Sequence, residues 1–329
     1  MLKNKKSTKI LKWVGGILLV IILLIGGAAV FLSAKWKPLL TDKIKTAVYE
    51  GSDRLYKIDF KDIHLNLITG TAVLDSISLY PDSTVFMQLK AIKKAPTHLF
   101  RIRLAHLKIN RVGIMNAYFK KNVNVGSIIL DNPSIDMVYN KVPRQTDTVK
   151  DQRTLYQQIS KSLNSIFVND IKVIDADFDY YNGLKKLNSV KHLSINVKNV
   201  LIDSASQFDT TRVFHSKDIA FALSGYSALS KDKMYTTKVD TVKGSISNKT
   251  VRLVGLKMIP MYPDLTFSRK YPTQKDRYNL AFEEINLSGV DFISLNNDGN
   301  FHAKKVVVGP AKVDVFMNRE LPPPSFDKG

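Results

Sequence analysis

The chain has no cysteine, which excludes disulfides, thiolate zinc sites, cysteine nucleophiles and a lipidated cysteine anchor. Acidic residues are scarce beside basic ones. Across 329 residues, 29 Asp+Glu stand against 49 Lys+Arg, a formal charge of +20. Catalytic patterns are missing too. The histidines (His64, His98, His106, His192, His215 and His302) are scattered, with no HExxH and no close pair, so no metal site is expected. Gly225-Tyr226-Ser227-Ala228-Leu229 looks like a nucleophile elbow only until Leu229, which stands where a glycine should close it. No glycine-rich phosphate loop is present. Asp175, Asp177 and Asp179 alternate along one stretch, but i, i+2 carboxylates on a flat strand diverge, and the calcium-loop pattern is absent. They are expected to form a solvated polar face. The sequence therefore predicts a protein that is not an enzyme, with no catalytic residue and no cofactor.

The charge pattern does include one long uncharged run. Residues 13–34, WVGGILLVIILLIGGAAVFLSA, would span roughly 33 Å as a helix, enough for a bilayer core of about 30 Å. Trp13 and Trp36 stand where indoles favour the headgroup layer. A cleaved signal peptide is the rival reading, but the apolar run continues through Val30, Phe31 and Leu32. We expect a basic cytoplasmic tail over 1–12, a transmembrane helix over 13–36 and a single-pass topology. Five lysines precede the run and none of the first twelve residues is acidic, which favours an amino terminus inside and the bulk of the chain outside the cytoplasm.

Beyond the span, Leu40, Ile44, Val48 and Leu55 recur near helical spacing, predicting a juxtamembrane helix over 37–55. A polar stretch follows much later, and 143–168 is expected to hold a linker and a second helix, with Tyr156, Ile159, Leu163, Ile166 and Phe167 on one side. Nearly everything else alternates with period two. Tyr56, Ile58 and Phe60 lead, and the apolar set resumes out of phase at Ile63 and Leu65, predicting a bulge near Lys61–Asp62. Similar alternation marks Phe100, Ile102 and Leu104, then Ile174 to Tyr180 with Phe178, then Ile195 and Val197, and finally Val306, Val308, Val313 and Val315. Asn182-Gly183 and Asp298-Gly299 read as hairpin turns. Two β segments result, 56–142 and 169–319, followed by a proline-rich tail over 320–329.

A weak repeat runs through these strands: Asp62-Ile63-His64-Leu65, His106-Leu107-Lys108-Ile109, Asp170-Ile171-Lys172-Val173, His192-Leu193-Ser194-Ile195 and Glu284-Ile285-Asn286-Leu287. Each strand has one apolar face, and the helices are too few to cover a long sheet. Either two sheets close into a sandwich, or one sheet curls around its apolar face. Periodicity alone does not choose between them.

Three stretches resemble the AsmA-like family, bacterial envelope proteins related to chorein-type bridge-like lipid transfer proteins. They are YKIDFKDIHLNLITGTAVLDSISLYPDSTV at 56–85, VNVGSIILDNPSIDMVYNK at 123–141 and AKKVVVGPAKVDVFMNRELPPP at 303–324. The resemblance covers most of 10–324. It implies a mainly β fold, in which the transmembrane helix is followed by a curved antiparallel β-sheet groove of repeating hairpins with one or two short helices. It also implies a bacterial inner-membrane protein, largely periplasmic, involved in passive lipid transfer or outer-membrane homeostasis. Some 15 to 20 strands would extend about 70–100 Å, which is short for a bridge between two membranes. Candidate groove residues are Ile58, Phe60, Ile63, Leu65, Ile102, Leu104, Phe178, Ile195, Val306 and Val308. Expected partners are phospholipid or another anionic envelope lipid, the inner membrane and other envelope proteins, with no nucleic acid. The spread of basic residues, among them Lys93-Lys94, Lys120-Lys121 and Lys304-Lys305, suits an anionic lipid surface. The alternative is a tethered β-sandwich that scaffolds envelope proteins and carries no lipid.

Overall fold

A computed structural model describes residues 36–66, 68–142, 154–160 and 162–324. The expected transmembrane helix lies outside these residues, apart from its last position. Among the described residues no helix is long and apolar enough to cross a membrane. The chain opens with α1 (Trp36–Gly51) and then forms a single fourteen-stranded sheet. A sandwich of two sheets is not what forms.

The strands are β1 (Tyr56–Asp59), β2 (Asp62–Asn66), β3 (Thr71–Pro81), β4 (His98–Asn110), β5 (Asn122–Asp131), β6 (Ser134–Tyr139), β7 (Ser165–Asn182) and β8 (Lys185–Ile202). They continue as β9 (Asp218–Leu229), β10 (Tyr235–Ser245), β11 (Thr250–Pro260), β12 (Arg277–Ser288), β13 (Lys305–Val308) and β14 (Ala311–Phe316). Three pairs lie end to end and share one position each: β1 and β2 both pair with β3, β5 and β6 with β4 and β7, and β13 and β14 with β12. Fourteen strands thus occupy eleven positions, and the sheet is about 48 Å long at ~4.8 Å per spacing. That is shorter than the sequence estimate, which gave every alternating run its own place.

Most neighbours are antiparallel, but β7 runs parallel to both β5 and β6. The sheet is therefore mixed, and the two β segments expected from sequence are continuous across this seam. Short helices sit in the connections: α2 (Ser83–Ala91), α3 (Ile114–Lys120), α4 (Leu155–Ile159), α5 (Asp264–Ser268) and α6 (Phe292–Asn297), with a 3-10 turn at Ser206–Phe208. More helices form than the one or two expected, yet each is short. The helix expected within 143–168 is cut to α4. Ile166, Phe167 and Val168 instead join β7, where they pair with Val123–Val125 of β5 and Val200–Ile202 of β8. Their β-branched and aromatic side chains suit a strand with neighbours on both sides.

Asn182-Gly183 does make the expected hairpin, with Asn182 opposite Lys185 and Gly183 at φ +60°. Asp298-Gly299 does not. Asp298 caps the end of α6 and Gly299 follows at φ +72°, the left-handed residue that commonly stops a helix.

One closed core forms, at the β1 end. Leu40, Ile44 and Val48 of α1 are buried with Ile58, Ile63, Leu74, Ile77, Leu104, Leu107, Ile109 and Ile128 of the sheet. Lys37 Nζ lies 3.1 Å from Asp62 and Lys45 Nζ 2.7 Å from Asp59, so α1 lies antiparallel to β1–β2 across their length. Tyr56 is buried here too. Its hydroxyl accepts the Phe100 N–H at 3.0 Å, and burial, partly offset by that bond, pushes its pKa up to about 12. Ile44 is fully buried between helix and sheet. Ile44→Ala is expected to cost about 2–5 kcal/mol, read as a lowered urea midpoint, whereas Leu39→Ala on the exposed side of α1 leaves the midpoint near its original value.

Candidate functional site

Opposed residues on neighbouring strands share a face, so the register defines rows that cross the whole sheet. One row is Ile63–Leu74–Leu107–Leu130–Val173–Ile195–Phe221–Gly244–Val251–Leu287–Val306. Only Gly244 interrupts it, and the ring of Phe221 covers that glycine: a Cβ there would meet the ring at 2.3 Å. A second row runs Leu65–Ala72–Ile109–Ile128–Ile171–Val197–Ile219. The face behind them is largely polar, with His64–Val73–Lys108–Ile129–Lys172–Asn196–Ala220–Ser245–Thr250–Ser288–Lys305 in register.

Cover over the apolar face changes along these rows. Leu74, Ile109 and Ile128 are fully buried, in one core with Leu40, Ile44 and Val48 of α1 and with Val112, Val123 and Leu163. From β8 onward Ile195, Val197, Phe221, Val251 and Leu287 are only half-buried, and at the last position Val306 is 54% and Val308 51% exposed. The helices of this half, α5 and α6, are five and six residues long and sit in the end connections. Among the described residues the apolar face thus runs from a closed core at one end to half-buried and exposed side chains at the other.

The ten residues picked from sequence all lie on strands or at their junctions, but they divide. Ile58, Ile63 and Leu104 are buried in the closed core, and Phe60, Leu65 and Ile102 pack against it. Phe178 stands in the row Ile58–Leu79–Ile102–Ile135–Phe178–Val190 and, like Ile195, is half-buried. Only Val306 and Val308 are fully open. Sequence reading missed Phe221, Val242, Val251, Leu253, Ile285 and Leu287, which form the middle of the uncovered face. Their alternation was present in the sequence, whereas the two groups are separated by tertiary packing, since the buried group shares its core with α1.

A line of irregular residues crosses the strands. Ser76, Asn132, Asp175, His192, Gly225 and Gly255 all have positive φ, between 49° and 68°, and sit at neighbouring positions. Lys61 between β1 and β2, whose N–H donates to Asp75, continues the line at one end. Gly309-Pro310 between β13 and β14 continues it at the other. Only β4, β10 and β12 cross it without such a residue. At Gly255 a Cβ would overlap the carboxylate of Asp240, so both the dihedral and the space call for glycine. Along this line the register shifts, as at a β-bulge, only where β8 meets β7 and β9. A bulge there bends the strand and sharpens its twist, and the other strands cross the line in step.

On the polar face the three aspartates are tied into ion pairs, which corrects the expectation of a freely solvated set. His192 Nδ1 lies 2.7 Å from Asp175, Lys191 Nζ 2.8 Å from Asp177 and 3.4 Å from Asp179, and Lys186 Nζ 2.7 Å from Asp179. Ser189 also donates to Asp179 at 2.6 Å. Burial raises the pKa of Asp177 and of Asp179, and the lysine bonds and charges outweigh it, so both carboxyls end below the ordinary value. No group of three or more His, Asp and Glu among the described residues is placed to hold a metal ion.

No family model matches the chain, and no curated protein matches it.

Carboxylates with lowered pKa stabilise the fold fully above the unfolded value, near 3.9, and lose that contribution as pH falls through the folded value. Lys191→Ala is therefore expected to lower the urea midpoint at neutral pH. The gap to the unchanged protein closes below about pH 4, as urea melts across that range will register.

Proposed function

We propose that this protein is a membrane-anchored, non-enzymatic module of the bacterial envelope whose sheet curls into a groove that shelters lipid acyl chains. The observation that carries the reading is the uncovered apolar face of β8–β13, in register with a closed core and backed by a polar face. Large uncovered apolar surfaces on a folded chain mark binding sites, and this one continues without a break over about 24 Å at ~4.8 Å per strand. That exceeds the ~15 Å that an acyl chain spans in half of a bilayer core. The line of left-handed residues supports curvature, because it crosses most strands at one level and includes the register shifts on both sides of β8. Resemblance to the AsmA-like family supports the envelope setting, and the apolar run at 13–34 supports the anchor.

The mechanism is passive. Each methylene moved from water onto the groove gains about 0.8 kcal/mol, so a chain held along Ile195, Phe221, Val251 and Leu287 is retained without covalent chemistry. Lipid then moves down its own gradient. The closed core beneath α1 takes no cargo in this reading. Lipid contacts are assigned to Ile195, Val306 and Val308 with Val197, Phe221, Leu253 and Leu287, and Ile58, Ile63 and Leu104 serve stability.

Photocrosslinking in the full chain tests this. A benzophenone side chain replacing Leu253 or Val197 is expected to gain the mass of a phospholipid on irradiation in cells, while the same probe at Arg252 or Asn196, on the polar face, gains none. Adducts to protein at Leu253 and Val197, without lipid, would establish the scaffold reading instead.

A further inference from the structure

The two margins of the sheet, where strands begin and end, differ in what they display. At one margin lie the starts of β1, β4, β8, β10 and β12. At the other lie the connections β2–β3, β4–β5, β8–β9, β10–β11 and β12–β13. In this second set, four of the five connections hold an exposed large apolar side chain: Ile68 (99% exposed), Phe119 (69%), Phe208 (77%) and Phe301 (53%), with Phe214 in the same connection as Phe208. Single exposed apolar residues are ordinary on a surface. Their recurrence on successive loops along one margin is not.

Basic residues accompany them. Lys120 and Lys121 follow Phe119, Lys217 follows Phe214 and Lys304 follows Phe301. Arg111 precedes Val112, whose N–H donates to Gly70 in the loop of Ile68. Three of the four acids in these loops are engaged by the fold. Asp203 accepts the Ala205 and Ser206 N–H groups, Asp209 binds Arg212 at 3.1 Å, and Asp291 caps the start of α6. Phenylalanine tips flanked by lysine fit an interface in which the ring enters the acyl boundary and the cation meets an anionic headgroup.

The opposite margin also exposes apolar residues, Met87, Ile92, Leu184, Met261 and Leu265, and Lys93-Lys94 and Lys185-Lys186 follow two of them. These tips are aliphatic or thioether side chains, however, and the aromatics of this margin are mainly tyrosines, several of them engaged by lysines. Lys270 lies over Tyr262 at 4.9 Å and Lys275 over Tyr271 at 4.4 Å. Helix α1 separates the two margins further. Its Lys37 end lies beside Asp62, where β2 sets out for the phenylalanine margin, and its other end leads to Tyr56 at the tyrosine margin. The exposed Leu39 lies in that first turn of α1, directly after the uncharged run of the sequence.

We infer that the margin carrying Ile68, Phe119, Phe208, Phe214 and Phe301 docks on an anionic lipid bilayer, so that the sheet lies with this margin along the membrane surface. The inference goes beyond the acyl-groove reading and does not depend on it.

The absence of cysteine makes the test direct. Single cysteines replacing Phe119, Phe208, Phe301 or, as controls, Leu184 and Met261 are labelled with an environment-sensitive fluorophore in the full chain. The chain is reconstituted into vesicles of phosphatidylglycerol with phosphatidylcholine, with or without nitroxide-labelled lipid. The expected result is blue-shifted emission at Phe119, Phe208 and Phe301, most of it lost to nitroxide lipid, with Leu184 and Met261 emitting as in water. Replacing Lys120 and Lys121 by Glu should reduce the quenching at Phe119, as should omission of phosphatidylglycerol. Unquenched labels at the three phenylalanine positions, or equal quenching at Leu184, would overturn the inference. Quenching at this margin without lipid adducts at Leu253 would leave the docking surface standing and remove the groove.

Discussion

A single constraint organises this molecule: every strand must place apolar residues on the same side of one long sheet, because opposed positions cannot turn to different faces. The row from Ile63 to Val306 satisfies it through eleven strands. A one-residue slip at any ladder would put the polar row of Lys108, Lys172 and Asn196 onto the inner side. The closed core, the half-open face and the choice of cargo all follow from that shared face and from how far α1 reaches along it.

The line of left-handed residues works within the same constraint. Every strand that crosses this line shifts its alternation, with or without a left-handed residue of its own, so apolar sets on either side of it share a face only at a spacing of three. The pairs Leu74 and Ile77, and Leu104 and Leu107, show this directly, since all four are buried in one core. Val173 and Ala176, Leu253 and Leu256, and Phe282 and Ile285 repeat the spacing farther along. This explains the weak repeat in the sequence. Asp62, His106, His192 and Glu284 all sit on or beside that line, on strands that run the same way, and the apolar alternation restarts after each. What reads as a repeated motif is one structural event met four times. The fifth instance, at Asp170, follows a separate irregularity where β7 passes Gly126 of β5.

Much of the architecture was legible for that reason. Alternation located β1, β2, β4, β7, β8, β13 and β14, but singled out nothing in β9, β10 or β11. The phase break at Lys61–Asp62 located the junction of β1 and β2, which holds no bulge because both strands keep one register on β3. Asn182-Gly183 located its hairpin. Three features were not legible. The parallel pairing of β7 leaves no mark in the alternation of either partner. Ile166 to Val168 can be read with helical or strand spacing, and only β5 and β8 on either side decide for strand. The spacing of Leu40, Ile44 and Val48 did mark α1 as a helix that caps a core, and all three are buried in it, but no pattern in the strands tells which of them that core seals. Ile58 and Val308 look alike in sequence and differ by nearly half of their surface in the fold.

The parallel seam has a consequence for how the protein assembles. On one side of it, β1 to β6 join successive neighbours in chain order, and on the other β7 to β14 do the same. Each half can therefore form from contacts close in sequence, which are the fast ones to make. The seam pairs residues scarcely farther apart in sequence, Val125 with Val168, than the widest antiparallel pairing, His98 with Tyr139, and what sets it apart is its parallel direction. The molecule is in this sense two meanders zipped together along β7. Hydrogen exchange would then divide into two cooperative units at β5–β7, and the half lacking a helix-sealed core would open at the lower free energy.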